Sequence, residues 1–261
     1  MTTGELRLRL KNVNGRMVFE ESYVRGALKL GKPVWRNGIP LYYLLHVGGG
    51  YVSGDTYTQQ IELLENTRLY LTTQAATKVY KGTKPAVVST SIKLGELSHL
   101  TLLQDPLILY EHATFHQTTA IELALTSTLY YSEIVTPGWS PTKQLFTYNE
   151  LYTELVIRRD GKLFYIDRLC WQKGQQQLLQ LGDYTHYGSF VCIERLADAF
   201  YERLHHITHP HCEIGYSQLN KEGFVLKIAA KETQHIESVF QQIDDLLRLS
   251  KHERPLKLRK Y

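Results

Sequence analysis

Two stretches hold the side chains best suited to chemistry. Gly48-Gly49-Gly50-Tyr51-Val52-Ser53-Gly54-Asp55 sets four glycines around one carboxylate, and Leu71-Thr72-Thr73-Gln74-Ala75-Ala76-Thr77-Lys78-Val79-Tyr80 follows with a lysine among hydroxyls and an amide. Successive glycines cost conformational entropy unless the backbone needs positive φ or a very close approach. Gly48, Gly49, Gly50 and Gly54 therefore read as a structural turn that holds Asp55 at its edge. Gly49–Thr56 fits a phosphate loop except at the lysine, which is Asp55. A phosphate cradle needs that lysine and a helix N-terminus behind it, whereas Tyr57-Thr58-Gln59-Gln60-Ile61-Glu62-Leu63 alternates like a strand. The pattern argues against nucleotide binding.

Asp55, Lys78, Asp105, Glu111 and Glu133 are the polar residues expected on one face of the molecule. A carboxylate pair with a lysine suits acid–base work. A carbohydrate-active β-solenoid enzyme would use Asp55 with Asp105 or Glu111, about 5–9 Å apart. No G-x-S-x-G elbow and no H-E-x-x-H helix accompanies them. The plainer alternative has Asp55 capping its turn and Lys78 pairing with a nearby carboxylate. The densest group of metal-type ligands is His205-His206-Ile207-Thr208-His209-Pro210-His211-Cys212. His205 and His209 are spaced as helical ligands, with His211 and Cys212 close behind, and imidazole suits nickel, zinc or copper. Pro210 ends the helix there, and histidines at a helix C-terminus are favoured by the macrodipole alone. These four residues are weak metal candidates.

The elements that must position these groups are strands. The 261 residues include 18 tyrosines, a composition that favours strands over helices, and 43% hydrophobic content is ample for a core. No apolar run approaches the ~20 residues of a membrane span, and the first residues lack the pattern of a secretion signal. Cys170, Cys192 and Cys212 are scattered, which fits a reducing, cytoplasmic setting rather than a disulfide framework. The net charge of +4 gathers near the end, in Arg248, Lys251, Arg254, Lys257, Arg259 and Lys260. No nucleic-acid module surrounds that tail, so neither nucleic acid nor membrane is expected as a partner.

A repeat organises the middle of the chain. Ile61–Leu69, Ile92–Leu100 and Ile121–Leu129 each fit I-x-L-x-x-x-[ST]-x-L, and a looser copy runs from Leu155 through Gly161 to Leu163. The period of roughly thirty residues signals stacked supersecondary units, each a strand, a turn and a strand. Past Gly188 the pattern changes. Ser189–Ile193 reads as a strand, Leu196 to Ile207 as an amphipathic helix, Cys212–Leu219 and Phe224–Ala230 as strands, and Ile236 to Leu247 as a second helix. The expectation is a mainly β fold: a layered, solenoid-like sheet body over 1–188, with a small α+β part carrying two helices over 189–261, packed as one unit.

The serial motifs G-G-G-Y-V-S-G-D, T-T-Q-A-A-T-K-V-Y and Asp105-Pro106-Leu107-Ile108-Leu109-Tyr110 resemble, in order and spacing, those of the urease accessory protein UreD (UreH) family. The resemblance runs along essentially the whole chain and includes the ending Leu258-Arg259-Lys260-Tyr261. It implies a protein without turnover of its own, a nickel-insertion chaperone that bridges apo-urease with the helical UreF and the GTPase UreG. It implies no tightly bound cofactor, with Ni²⁺ in transit through an internal water-filled tunnel. Asp55, Gln74, Lys78, Asp105, Glu111, Glu133 and Gln144 then become tunnel or interface candidates. Where the family shows Gly-Arg and then Gly-Glu, this chain has Gly138-Trp139 and, at the glutamate, Gln144. A carboxylate is missing there. An ion conduit must release what it admits, and scattered carboxylates, amides and carbonyls suit that better than thiolate or multi-histidine cages.

Overall fold

The computed structural model describes residues 2–174, 181–256 and 258. Lys257, Arg259, Lys260 and Tyr261, part of the basic tail and of the family-like ending, lie outside the described residues. Two large sheets face each other across one core. The first is seven-stranded. Its centre is a parallel array of β1 (Gly4–Val13), β6 (Thr56–Leu63), β9 (Ala86–Leu94), β12 (Thr114–Leu123) and β14 (Glu150–Arg159). The antiparallel β2 (Arg16–Arg25) and β15 (Lys162–Gln172) close its edges. The second sheet is built on parallel β5 (Ile39–His46), β7 (Arg68–Thr73), β10 (His99–Leu103) and β13 (Thr128–Val135). The short β3 (Leu28–Leu30) and β4 (Val34–Arg36) pair with β5.

The repeat is the reason for this arrangement. Ile61, Ile92 and Ile121 lie in register across β6, β9 and β12, as do Leu63, Leu94 and Leu123. Leu69, Leu100 and Leu129 lie in register on the facing sheet. All nine are buried, each burial stabilising the fold by about 1.5–3 kcal/mol. The hydroxyl of the motif has its own task. Thr67, Ser98 and Ser127 are buried where the chain turns from one sheet to the other. Ser98 Oγ donates to Gly95 O at 2.6 Å, and Ser127 Oγ donates to Ala124 O at 2.8 Å. The same two carbonyls also accept the Ser98 and Ser127 N–H at 3.2 Å, so the hydroxyl adds a second bond that tightens the corner.

The fourth, looser copy behaves differently. β14 and β15 form an antiparallel hairpin, with Asp160 (φ 50°) and Gly161 (φ 71°) at its tip, so the chain stays in the first sheet instead of crossing. Two consecutive positive-φ residues, Asp then Gly, favour a tight hairpin over an open corner.

Beyond it, β16 (His186–Ile193), β18 (Gly223–Ala230) and β17 (Cys212–Gln218) extend the second sheet antiparallel from β13. The boundary expected at 188/189 falls inside β16. Helices α1 (Asp198–His205) and α2 (Thr233–Leu249) complete the strand–helix–strand–strand–helix order expected from the sequence. α2 buries Ile236, Val239, Phe240, Ile243 and Leu247 against Tyr130, Ile134 and Phe190. β13 thus serves two cores, with Leu129, Tyr131 and Val135 turned between the sheets and Tyr130 and Ile134 toward the helices.

Candidate functional site

The two motifs read separately along the sequence are neighbours in space. Tyr51 N–H donates to Lys78 O and Tyr80 N–H to Tyr51 O, both at 2.8 Å, which zips the glycine turn onto β8 (Thr77–Val79). Gly50 sits at φ 145°, and a Cβ there would lie 2.5 Å from Lys78 O. Only glycine allows that approach. Asp55 Oδ2 accepts the Val52 N–H at 2.8 Å, so Asp55 caps its own turn.

Beside this zipper the second sheet is interrupted. The β7–β10 ladder ends at Thr72↔Leu103 and resumes at Thr77↔Leu107, where β8 meets β11 (Leu107–Leu109). The β10–β13 ladder ends at Leu103↔Ser132 and resumes at Leu107↔Val135. Residues 74–76 and 104–106 depart from the ladder between these points. Pro106 has no N–H to lose, and side chains take over the remaining bonds. Asp105 N–H donates to Thr73 Oγ1 at 2.7 Å, and that hydroxyl donates to Asp105 Oδ2 at 2.8 Å. Thr72 Oγ1 donates to Leu103 O at 2.6 Å.

Behind the interruption the apolar core gives way to a polar layer. Gln59, Thr90 and Thr119 lie in register across β6, β9 and β12, and Gln117 beside Thr153 forms the next rung. With Thr73, Gln104, Asp105, Tyr131 and Glu133 they line a cavity of about 70 Å³ between the sheets. A water needs ~10–15 Å³ of such space and several polar partners, so this cavity has room for water beside these polar groups, while Ile61, Leu71, Val88, Leu102 and Val135 make up much of the rest of its wall. Glu133 accepts hydrogen bonds from Gln117 Nε2 and Tyr131 OH, and Gln104 Nε2 donates to that same hydroxyl at 3.1 Å. Burial raises the Glu133 pKa, and the Asp167 carboxylate pushes it the same way. Tyr131, Lys227 and Gln117 pull it back. Burial also lifts the Tyr131 phenol well above its ordinary value.

The cavity borders two openings. Leu44, Tyr51, Thr73 and Thr77 also line a surface cleft with His46, Gly49, Gly50, Gln74 and Lys78. Gln104 and Ile134 also line a groove under α2 with Glu237, Gln241 and Asp244.

Of the residues singled out in the sequence, Asp105 and Glu133 share the interior cavity, and Gln74 and Lys78 flank the cleft that adjoins it. Asp55 and Glu111 do not line that cavity. Glu111 Oε1 lies 3.8 Å from His112 Nε2. Gln144 is exposed, its N–H donating to Ser140 Oγ. Sequence reasoning missed Gln104, Gln117, Tyr131 and the Gln59–Thr90–Thr119 rung. For all but Gln104 the signal was available: these residues sit at inward positions of strands whose other inward positions are mostly apolar, whereas Gln104 follows the end of β10.

His205 packs its ring edge-on against Tyr216, 4.7 Å away, whereas His209, His211 and Cys212 gather elsewhere with His235. As the side chains stand, no three His, Cys, Asp or Glu among the described residues form a group that could hold a metal ion. The cysteines are free thiols. No helix is long and apolar enough to cross a membrane among the described residues.

The sequence model of the UreD urease accessory protein family matches residues 2–260. The chain is 35% identical over 254 residues to the urease accessory protein UreD of Bacillus sp. (strain TB-90), covering 94% of each. It is 33% identical over 270 residues to the urease accessory protein UreD of Lachnoclostridium phytofermentans, covering 99% of this chain and 98% of the other. A Staphylococcus aureus urease accessory protein UreD is 33% identical over 272 residues, with the same coverage.

Proposed function

Because the chain belongs to the UreD urease accessory protein family, we propose that its part in urease maturation is to pass Ni²⁺ through its interior. In this reading it is not an enzyme. It scaffolds apo-urease with UreF and UreG in the cytoplasm while the ion crosses from one opening to the other. The observation that carries the reading is the cavity between the sheets, with carboxylates, amides and hydroxyls in its wall, bordered by the motif-lined cleft on one side and the α2 groove on the other. Asp105 and Glu133 supply carboxylate oxygens, Gln104 and Gln117 amides, and Thr73 and Thr119 hydroxyls. Oxygen donors of this kind, with water completing the shell, hold a borderline cation loosely enough to let it go. The carbohydrate-enzyme alternative, Asp55 with Asp105 or Glu111, has no such observation behind it: Asp55 caps its own turn, and neither Asp55 nor Glu111 lines the cavity.

Gln104 lies where the cavity and the α2 groove meet, so Gln104→Trp tests the route. Copurification with apo-urease and the accessory proteins is expected to persist, while most nickel-dependent urease activation is lost. Gln104→Ala, which opens the same point, is expected to keep it. Full activation by the tryptophan variant would rule out passage at this point.

A further inference from the structure

At the far ends of the two sheets stand four strands: β2 and β15 on the first, β3 and β17 on the second. An edge strand exposes unpaired N–H and C=O groups, and proteins blunt such edges with charges, bulges, proline or short length. Three of these edges are blunted. β2 is bulged against β1 and carries Arg16, Glu20, Glu21 and Arg25. β15 is bulged against β14 and carries Lys162, Asp167 and Arg168. β3 and the neighbouring β4 are three residues each. β17, Cys212-Glu213-Ile214-Gly215-Tyr216-Ser217-Gln218, has none of these devices. It pairs with β18 along its whole length without a register shift, holds no proline, and carries a single charge, Glu213. Among the described residues, no strand pairs with its other side. Backbone bonds at its two ends fix which groups point that way. Leu219 N–H donates to Gly223 O at 2.8 Å, and hydrogen-bonded pairs recur at every second residue of an antiparallel ladder. Glu213, Gly215 and Ser217 therefore bond to β18, opposite Ala229, Lys227 and Val225. Cys212 agrees, its N–H turned away from β18 to His209 O at 3.1 Å. The N–H and C=O groups of Ile214 and Tyr216 are left on the open side.

We propose that the open side of β17 pairs with β17 of a second copy of this chain, antiparallel about a twofold axis through Gly215. The segment is complementary to itself in that register. Ile214 meets the partner's Tyr216, Glu213 meets the partner's Ser217, and glycine meets glycine on the axis. No like charges oppose each other, and a β-branched side chain beside an aromatic ring is a favoured cross-strand match. The outward groups also match: Ile214 N–H donates to the partner's Tyr216 O, and Tyr216 N–H donates to the partner's Ile214 O. Ile214 and Tyr216 lie on the helix side of the sheet, half-buried against that core, so pairing completes their cover. An isologous contact of this kind closes after two copies instead of growing into a filament. One short strand pair is a small interface, below the ~1,200 Å² of standard complexes, so the dimer is expected to form at about 10–100 μM and to dissociate on dilution.

Sedimentation velocity of the full chain, in reducing buffer over a dilution series, tests this. The mass is expected to rise from one chain toward two across that range, with no larger species. Ile214→Pro removes an outward N–H and no bond to β18, a place where an edge strand tolerates proline. Gly215→Glu sets a carboxylate beside Lys227 within each copy and opposes two carboxylates on the axis. The strand has room for it, because a Cβ at Gly215 meets nothing nearer than Lys227 O at 3.9 Å. Both variants are expected to weaken the dimer at least about tenfold, and melting curves show that each is folded. Gly215→Lys should behave as Gly215→Glu does, and an equimolar mixture of the two should dimerise again, a rescue that a merely damaged strand would not give. A native chain that stays monomeric at the top of the series would overturn the proposal and leave the edge to an extended segment of another protein. A dimer untouched by both Ile214→Pro and Gly215→Glu would overturn it too, by placing the contact elsewhere.

Discussion

Glu133→Gln is expected to melt at a higher temperature than the native protein at neutral pH and yet to lose nickel-dependent urease activation. Glutamine keeps the acceptor oxygen that takes hydrogen bonds from Gln117 Nε2 and Tyr131 OH, so the packing is preserved. What it removes is a carboxylate that burial holds above the ordinary glutamate pKa. Such an acid binds more protons folded than unfolded, so its contribution to stability is complete below the unfolded pKa. It declines as pH rises through the raised folded value and is flat above it. Melting temperatures of native and variant proteins should therefore converge at acid pH and separate as pH rises out of the carboxylate range. Equal curves at all pH values would mean that Lys227 and the hydrogen bonds compensate the charge completely. The functional half is independent of this. If the variant supports activation as the native chain does, Glu133 is not a stepping point for the ion. A residue that costs stability at neutral pH and is nonetheless charge-competent fits a site kept for function rather than folding.

The repeat was legible because burial imposes it. Each coil must present Ile and Leu at the same inward positions, and each corner takes a buried hydroxyl that bonds back onto its own turn, so I-x-L-x-x-x-[ST]-x-L returns wherever the chain crosses between sheets. The fourth copy kept the apolar spacing of β14 but placed Asp160-Gly161 at the corner. That pair carries a hairpin signal which outweighs the repeat. The two helices showed through their apolar stripes for the same reason of burial, now at a period of 3.6 residues.

The site was only half legible. Glycines and a T-T-Q-A-A-T-K string mark backbone exceptions, and exceptions are visible in a sequence. The cavity is made instead by register: Gln59, Thr90 and Thr119 become one rung only after three strands are aligned. Gln104 and Glu133 meet them only across the gap between sheets. The same holds for the histidines. His205 and His209 suggested a pair by helical spacing, but α1 ends at His205, and the long-range partner is His235. Local spacing finds neighbours on one element and is blind to those that topology brings from another.

Arg248→Met is expected to destabilise the chain by about 3–5 kcal/mol, the cost of leaving a buried carboxylate unpaired. Arg248 is 1% exposed and Asp244 is 2% exposed. Arg248 Nε and Nη2 donate to the two oxygens of Asp244 at 2.6 and 2.7 Å, a bidentate fork. Nη1 donates to Tyr70 OH at 2.8 Å, while the guanidinium carbon lies 4.6 Å from the centre of that ring. This cluster ties α2 to β7 across the second sheet. Removing only the arginine strands Asp244; removing both charges does not, so Arg248→Met with Asp244→Leu is expected to recover most of the loss. Urea unfolding of the two variants measures the difference. A cost below about 1 kcal/mol for the single variant would place the pair with ordinary surface ion pairs. The double variant also separates two roles of Asp244, which anchors Arg248 and lines the groove under α2. If the double variant is stable and still supports urease activation, Asp244 serves the fold alone. If it is stable and inactive, the carboxylate belongs to the ion's route.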